Sequence, residues 1–188
     1  MLRRADPSPE SALFISAGLG YRAPMSLSLA DIAHLEAAEG WLERKQWANC
    51  FDELERMDYN NRDDAREKAL RWRLYNQSRQ HVPAANVTRG IQRRWPNEPA
   101  GYVWRSISLN KLGCTDEAYD ELARVVDKFD GLAVVPLLLA VYACQLQRYE
   151  ATRSWLERAF ATPDSKEAKL LALQWPELEP FWQKIGQI

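Results

Sequence analysis

Small residues return along this chain at an interval of 34 positions, so that Cys50, Ala84, Ala118 and Thr152 share one register. The same step carries Leu54, Thr88, Leu122 and Leu156 into a second register, and Met57, Ile91, Val125 and Ala159 into a third that is apolar throughout. A recurrence of that length is what stacked helical hairpins leave in a sequence, each repeat being one supersecondary unit that buries its apolar face against its neighbours. The expected fold is all-α, an α-solenoid of about four antiparallel helix hairpins closed by a C-terminal capping helix. The expected repeats cover about 31–64, 65–98, 99–132 and 133–162, with a cap over 163–188. Together, residues 29–188 then form one helical repeat domain.

With Asp31, Ala65, Pro99 and Ala133 as starts, each unit divides into a first helix of about 14 residues, a short turn and a second helix of similar length, each helix about 21 Å long. Where the helices of a hairpin cross, a bulky side chain would hold the axes apart, which explains the small register at Cys50, Ala84 and Ala118. Larger residues complete the joint: Trp41, Tyr75 and Leu109 recur on the first helices, and Trp47 and Tyr149 open second helices. Gly113 is placed to stop a helix, and Thr115 to cap the next, with Asp116 and Glu117 favouring its positive end. Asn60 with Asn61, the stretch Trp95–Pro99, Asp130 with Gly131, and Pro163 with Asp164 punctuate the unit boundaries. Arg71 and Arg105 occupy a register where an apolar residue would pack best, so their heads must reach water or a carboxylate.

The run Leu112, Gly113, Cys114, Thr115, Asp116, Glu117, Ala118, Tyr119, and Tyr149 followed by Trp155, Leu156, Glu157, Arg158, Ala159, Phe160, resemble tetratricopeptide repeats over about residues 31–162. The chain is similar to the short, bacterial, single-domain proteins of that family. It departs from the pattern at the hairpin turn, where the family's Gly is replaced by Lys45, Arg79 and Gln147, and at Trp72, where the family has a small residue. The resemblance implies a concave groove lined by the first helices, with groove-facing positions at Arg66, Arg73, Asn76, Gln77, Trp104, Asn110, Lys111 and Gln145. Guanidinium forks and amides at those positions would grip a carboxylate or the main chain of a bound peptide, and Trp104 would stack on an apolar side chain. The implied role is a non-enzymatic scaffold or adaptor for a peptide or protein segment. The alternative is a chaperone for a secreted or membrane-associated substrate.

Beyond Ala161 the period stops, and Asp164 with Glu167 makes a capping-box-like start for a helix through about Gln174. An open stack leaves one apolar face bare, and Leu170, Leu171, Leu173, Trp175, Phe181 and Trp182 are the material to cover it. Exposed tryptophans and solenoid ends also leave room for homo-oligomers.

Charge excludes some roles. A net charge of -1 leaves no basic excess for a phosphate backbone, and Arg89, Arg93 and Arg94 beside Trp95 read as a solvated second-helix face, so no nucleic-acid partner is expected. Cys50, Cys114 and Cys144 lie far apart with only His34 and His81 beside them, at neither metal-ligand nor nucleophile–base spacing. No cofactor, metal site or catalytic set is expected. No apolar run reaches the roughly 20 residues of a membrane span. Residues 1–28, with Pro7, Pro9, Pro24, Gly18 and Gly20, read as a flexible tail, and Met25 is a candidate start of translation. The apolar stretch Ala12–Ile15 is too short for a secretory signal, which points to the cytoplasm.

Overall fold

The computed structural model describes residues 27–185, and every regular element among them is helical. The order is α1 (Leu29–Glu43), α2 (Trp47–Arg56), α3 (Ala65–Gln77), α4 (His81–Arg94), α5 (Pro99–Lys111), α6 (Thr115–Ala123), α7 (Val134–Gln145), α8 (Tyr149–Phe160), α9 (Ser165–Ala172) and α10 (Trp182–Ile185). Short 3-10 segments occupy Tyr59–Asn61 and Pro176–Phe181. The described residues group into two compact units that part between Leu112 and Gly113, where the sequence predicts one continuous repeat domain over 29–188. The tail, Met25 included, falls outside the described residues up to position 26.

The 34-residue interval is written into the backbone at the turns. Lys45, Arg79 and Gln147 take the left-handed conformation, with φ of 58°, 60° and 59°, and Gly113 has φ 81°. After α1, the Lys45 N–H donates to the Leu42 carbonyl at 3.0 Å and the Gln46 N–H to the Trp41 carbonyl at 2.9 Å. The same pair recurs after α3, from Arg79 to Asn76 and Gln80 to Tyr75, and after α7, from Gln147 to Cys144 and Arg148 to Ala143. This is the Schellman closure, which satisfies carbonyls that a helix end would leave orphaned. A left-handed L residue costs roughly 1–2 kcal/mol. Lys45, Arg79 and Gln147 therefore hold that conformation only because the two bonds and the packing of the flanking helices outweigh the cost. The next helix starts two residues later in each case, at Trp47, His81, Thr115 and Tyr149.

Two cap assignments differ from the sequence reading. Thr115 is the first residue of α6, and Cys114 before it makes no side-chain cap bond. Asp164 likewise makes no side-chain cap bond, and α9 ends at Ala172, short of Gln174. The second helix of the third repeat is also shorter than expected. Beyond Ala123 the chain continues in overlapping turns, with Val125 N–H to Leu122, Lys128 to Val125 and Leu132 to Phe129. Gly131 at φ 89° turns the chain before α7.

In the N-terminal unit, α1 packs on α2, α3 on α4, and α4 on α5. Leu35, Ala38 and Leu42 of α1 meet Cys50 and Leu54 of α2, Met57, and Leu70 and Leu74 of α3 in one core. The small register is buried throughout: Cys50, Ala84, Ala118 and Thr152 are all fully enclosed. Gly101 shows how closely α4 and α5 approach, since a Cβ there would lie 3.0 Å from the Gln92 side chain and 3.1 Å from its backbone nitrogen. A polar clamp ties the start of α1 to the end of the first hairpin. Ser28 caps α1 and hydrogen-bonds Asp31 at 2.6 Å, while Asp31 also accepts from the Asp58 N–H at 2.9 Å and from the Asn61 amide at 2.7 Å.

In the C-terminal unit, α7 is apolar all round and buried from Val134 to Cys144, with α6, α8, α9 and the Pro176–Phe181 segment packed on it. Leu171, Trp175 and Phe181 of the expected cap are buried, and so are Leu178 and Ile185. Leu170 and Leu173 are not, at 55% and 39% exposure. On a helix with Ala168, Leu171 and Ala172 turned inward, positions 170 and 173 fall on the outer face. On the surface of this unit the Trp155 indole donates to the Tyr119 hydroxyl at 3.0 Å, and Arg148 lies over the Tyr119 ring while paired with Asp116 at 2.7 Å.

Candidate functional site

Seven of the eight positions that the resemblance singles out lie in the N-terminal unit, on α3 and α5. Successive helical residues turn by about 100°, so Arg66, Arg73 and Gln77 fall within about 40° of one line along α3. Arg66 and Gln77 are exposed and Arg73 is half-buried. The Arg66 guanidinium is 3.7 Å from Glu39 of α1, a loose surface pair. Asn76 is half-buried beside this line, and its buried Oδ1 accepts no hydrogen bond. Asn110 and Lys111 end α5, half-buried and exposed respectively.

Trp104 stands apart from the others. It is 4% exposed, and its ring stacks on Trp72 with centroids 4.9 Å apart and planes at 10°. Its face is occupied within the fold, so it does not offer the stacking surface that the groove reading gives it. Trp72 in turn is fully buried, and its indole N–H donates to the Ser108 hydroxyl at 2.9 Å. This bulky residue is thus accommodated by a partner ring and a hydroxyl, both on α5. Gln145, the eighth position, belongs to the C-terminal unit, is exposed, and donates to the Glu177 carboxylate at 3.0 Å.

The opposite side of α3 carries a second constellation. Glu67, Lys68 and Arg71 lie about 100–200° around the helix from Arg66. They face Glu55 of α2 and the connecting loop, around a cleft of about 510 Å³ that also borders Arg62 and Asp63. The Arg71 Nε donates to Glu67 at 2.5 Å and its Nη1 to Glu55 at 2.8 Å. The Arg62 Nη1 donates to the other Glu55 oxygen at 2.8 Å, its Nη2 to the Glu55 carbonyl, and its Nε to the Met57 carbonyl at 3.2 Å. Arg71 thus finds the carboxylates that its position in the sequence demands. Glu67 was legible as its partner one helical turn away, whereas Glu55 and Arg62 are brought in only by the packing of α2 on α3.

The charges settle accordingly. The hydrogen bond from Arg71, and then the charges of Arg71 and Arg62, hold the Glu55 carboxyl below its ordinary range against some burial. Burial works against the Arg71 charge, but Glu67 and Glu55 outweigh it and keep the guanidinium protonated. Glu67 goes the other way: burial pushes its pKa up, and Arg71 and Lys68 offset this only in part. Its Oε2 accepts no hydrogen bond, with the Lys68 ammonium at 3.5 Å as its nearest counter-charge.

Cys50 and Cys144 fit an interior role better than a reactive one. Burial pushes the Cys50 thiol up to about 11 and raises that of Cys144, whose Sγ lies 2.9 Å from the Glu177 carbonyl. Cys114 is exposed in its turn. Among the described residues, no group of three or more potential metal ligands comes together, and no helix is long and apolar enough to cross a membrane. No protein-family model matches the chain, and neither a curated protein nor a solved structure matches it.

Proposed function

We propose that this chain is a non-enzymatic adaptor of tetratricopeptide-like hairpins stacked as an α-solenoid, and that it holds an extended segment of another protein along the first helices α3 and α5. The observation that carries this reading is the left-handed turn residue at Lys45, Arg79, Gly113 and Gln147, spaced by 34 positions. The same turn geometry recurs at the same interval, and recurring hairpins are what repeat folds use to build a surface for an extended ligand. Within the N-terminal unit, the surface proposed for contact is Arg66, Arg73, Asn76 and Gln77 on α3 with Asn110 and Lys111 on α5. Trp104 is left out because its ring is already stacked.

Affinity capture from lysate of the parent cell, followed by mass spectrometry, tests the reading. The intact chain is compared with Arg73→Glu combined with Asn110→Ala, after circular dichroism has shown that the double variant is folded. The double variant is expected to lose the proteins retained by the intact chain. Retention of the same proteins in the same amounts refutes the surface named here.

A further inference from the structure

We propose that the cleft between α2 and α3 is a separate binding site, which takes a small organic cation bearing a guanidinium or primary ammonium group and receives it on Glu67. The inference stands apart from the peptide reading, since the cleft lies on the other side of α3 from Arg66, Arg73 and Gln77.

The argument runs through the valences of the cleft. Its arginines have little left to give: Arg62 spends its Nε and both Nη groups on Met57 and Glu55, and Arg71 bonds Glu67 and Glu55. What is unspent is an acceptor. Glu67 is 0% exposed, lines the cleft, and has one oxygen bonded to Arg71 and the other without a hydrogen bond. A buried carboxylate oxygen left unsatisfied costs free energy that a charged N–H donor would recover.

Lys68 occupies that role poorly. Its ammonium is 3.5 Å from Glu67 and 3.3 Å from Asp63, too long for good charge-assisted bonds, on a flexible stem whose side chain is 21% exposed. If Lys68 swings outward, the remaining cleft carries Glu55, Glu67 and Asp63 against Arg62 and Arg71. With Glu67 ionised one negative charge is then uncompensated, and a planar, more weakly hydrated guanidinium fits better than the ammonium it replaces. At the rim, Tyr59 is 83% exposed and offers an aromatic face to a cation. The volume, about 510 Å³, is in the range of small-molecule sites.

Proton linkage follows. Burial raises the pKa of Glu67, and the charged groups that face it are Lys68 and Arg71 from α3, Glu55 from α2, and Arg62 and Asp63 from the loop. An arriving cation favours the ionised form, so binding expels a proton from any Glu67 that carries one and strengthens as pH rises through the Glu67 titration.

Isothermal titration calorimetry of the full chain with n-butylguanidinium, against neutral n-butylurea of the same shape, tests the site. Saturable binding of the cation is expected, with the urea at least about 10-fold weaker and Glu67→Gln weakening the cation by about 10-fold. Tyr59→Ala, at an exposed position that leaves folding intact, is expected to weaken it about 3-fold. A blocked tripeptide, acetyl-Gly-Arg-Gly-amide, distinguishes the source. Binding as tight as that of the free cation assigns the site to a basic side chain of a partner protein, and binding of the free cation alone assigns it to a small molecule. Absence of saturable binding, equal affinity for the urea, or a folded Glu67→Gln variant with unchanged affinity overturns the proposal.

Discussion

Replacing Trp72 with Ala removes the largest fully buried side chain of the N-terminal unit, together with its stack on Trp104 and its hydrogen bond to Ser108. Truncation of a buried Trp costs about 3–5 kcal/mol, because the lost transfer free energy is joined by the cavity left behind. Spread over a chain of this length, that lowers Tm by roughly 10 °C. Two further variants separate the contributions. Trp72→Phe keeps a ring but removes the indole donor; since the Ser108 hydroxyl still donates to the Trp104 carbonyl at 2.9 Å, the hydrogen bond should account for about 1 kcal/mol. A double-mutant cycle of Trp72→Ala with Trp104→Ala should return a coupling of about 1 kcal/mol for the stacked pair. The assay is urea unfolding followed by far-UV circular dichroism for the parent, the single variants and the double variant. A loss below about 1 kcal/mol for Trp72→Ala, or additive effects of the two truncations, would refute the placement of these rings against each other and return Trp104 to the exposed surface.

Two other outcomes can be checked on the same footing. Hydrogen bonds from Ser28, then from the Asp58 N–H and Asn61, lower the pKa of Asp31 from its ordinary 3.8, so its stabilisation is full above that value and lost as pH falls through the lower folded-state value. Glu67 has the opposite sign: with a pKa raised above 4.5 by burial, it favours folding when protonated, and that contribution disappears as pH rises through its folded-state value. Urea midpoints measured across acidic pH should therefore lose their low-pH decline in part with Asp31→Asn, and lose a low-pH gain with Glu67→Gln; unchanged profiles refute these assignments. At the turns, Lys45→Gly, Arg79→Gly and Gln147→Gly should each stabilise by about 0.5 kcal/mol, the relief of left-handed strain exceeding the added entropy of the unfolded chain. Gly113→Ala should cost about 1 kcal/mol. Thermal melts giving both substitutions the same sign contradict the turn geometry.

The helical pattern was legible because it depends on short-range spacing. A small residue at Cys50, Ala84, Ala118 and Thr152 marks a helix crossing wherever it recurs, and all four are buried. The turns were half legible. Gly113 announces a left-handed residue, but Lys45, Arg79 and Gln147 do not, since nothing in those side chains prefers that conformation and only the repeat interval pointed to them. The candidate surfaces were less legible still. Trp104 reads as an exposed aromatic until Trp72, on another helix, closes over its ring. Glu67 with Arg71 is visible as a pair one turn apart, but the cleft they border needs Glu55 and Arg62 from outside their helix.

The amino-acid order alone determined that the described chain is helical and which register turns inward, because apolar periodicity acts over a few residues. Tertiary structure decided which polar and aromatic groups remain available to a ligand. Burial and hydrogen-bond satisfaction are set by neighbours that arrive from other helices, and so two tryptophans became core while a buried glutamate kept one oxygen unbonded.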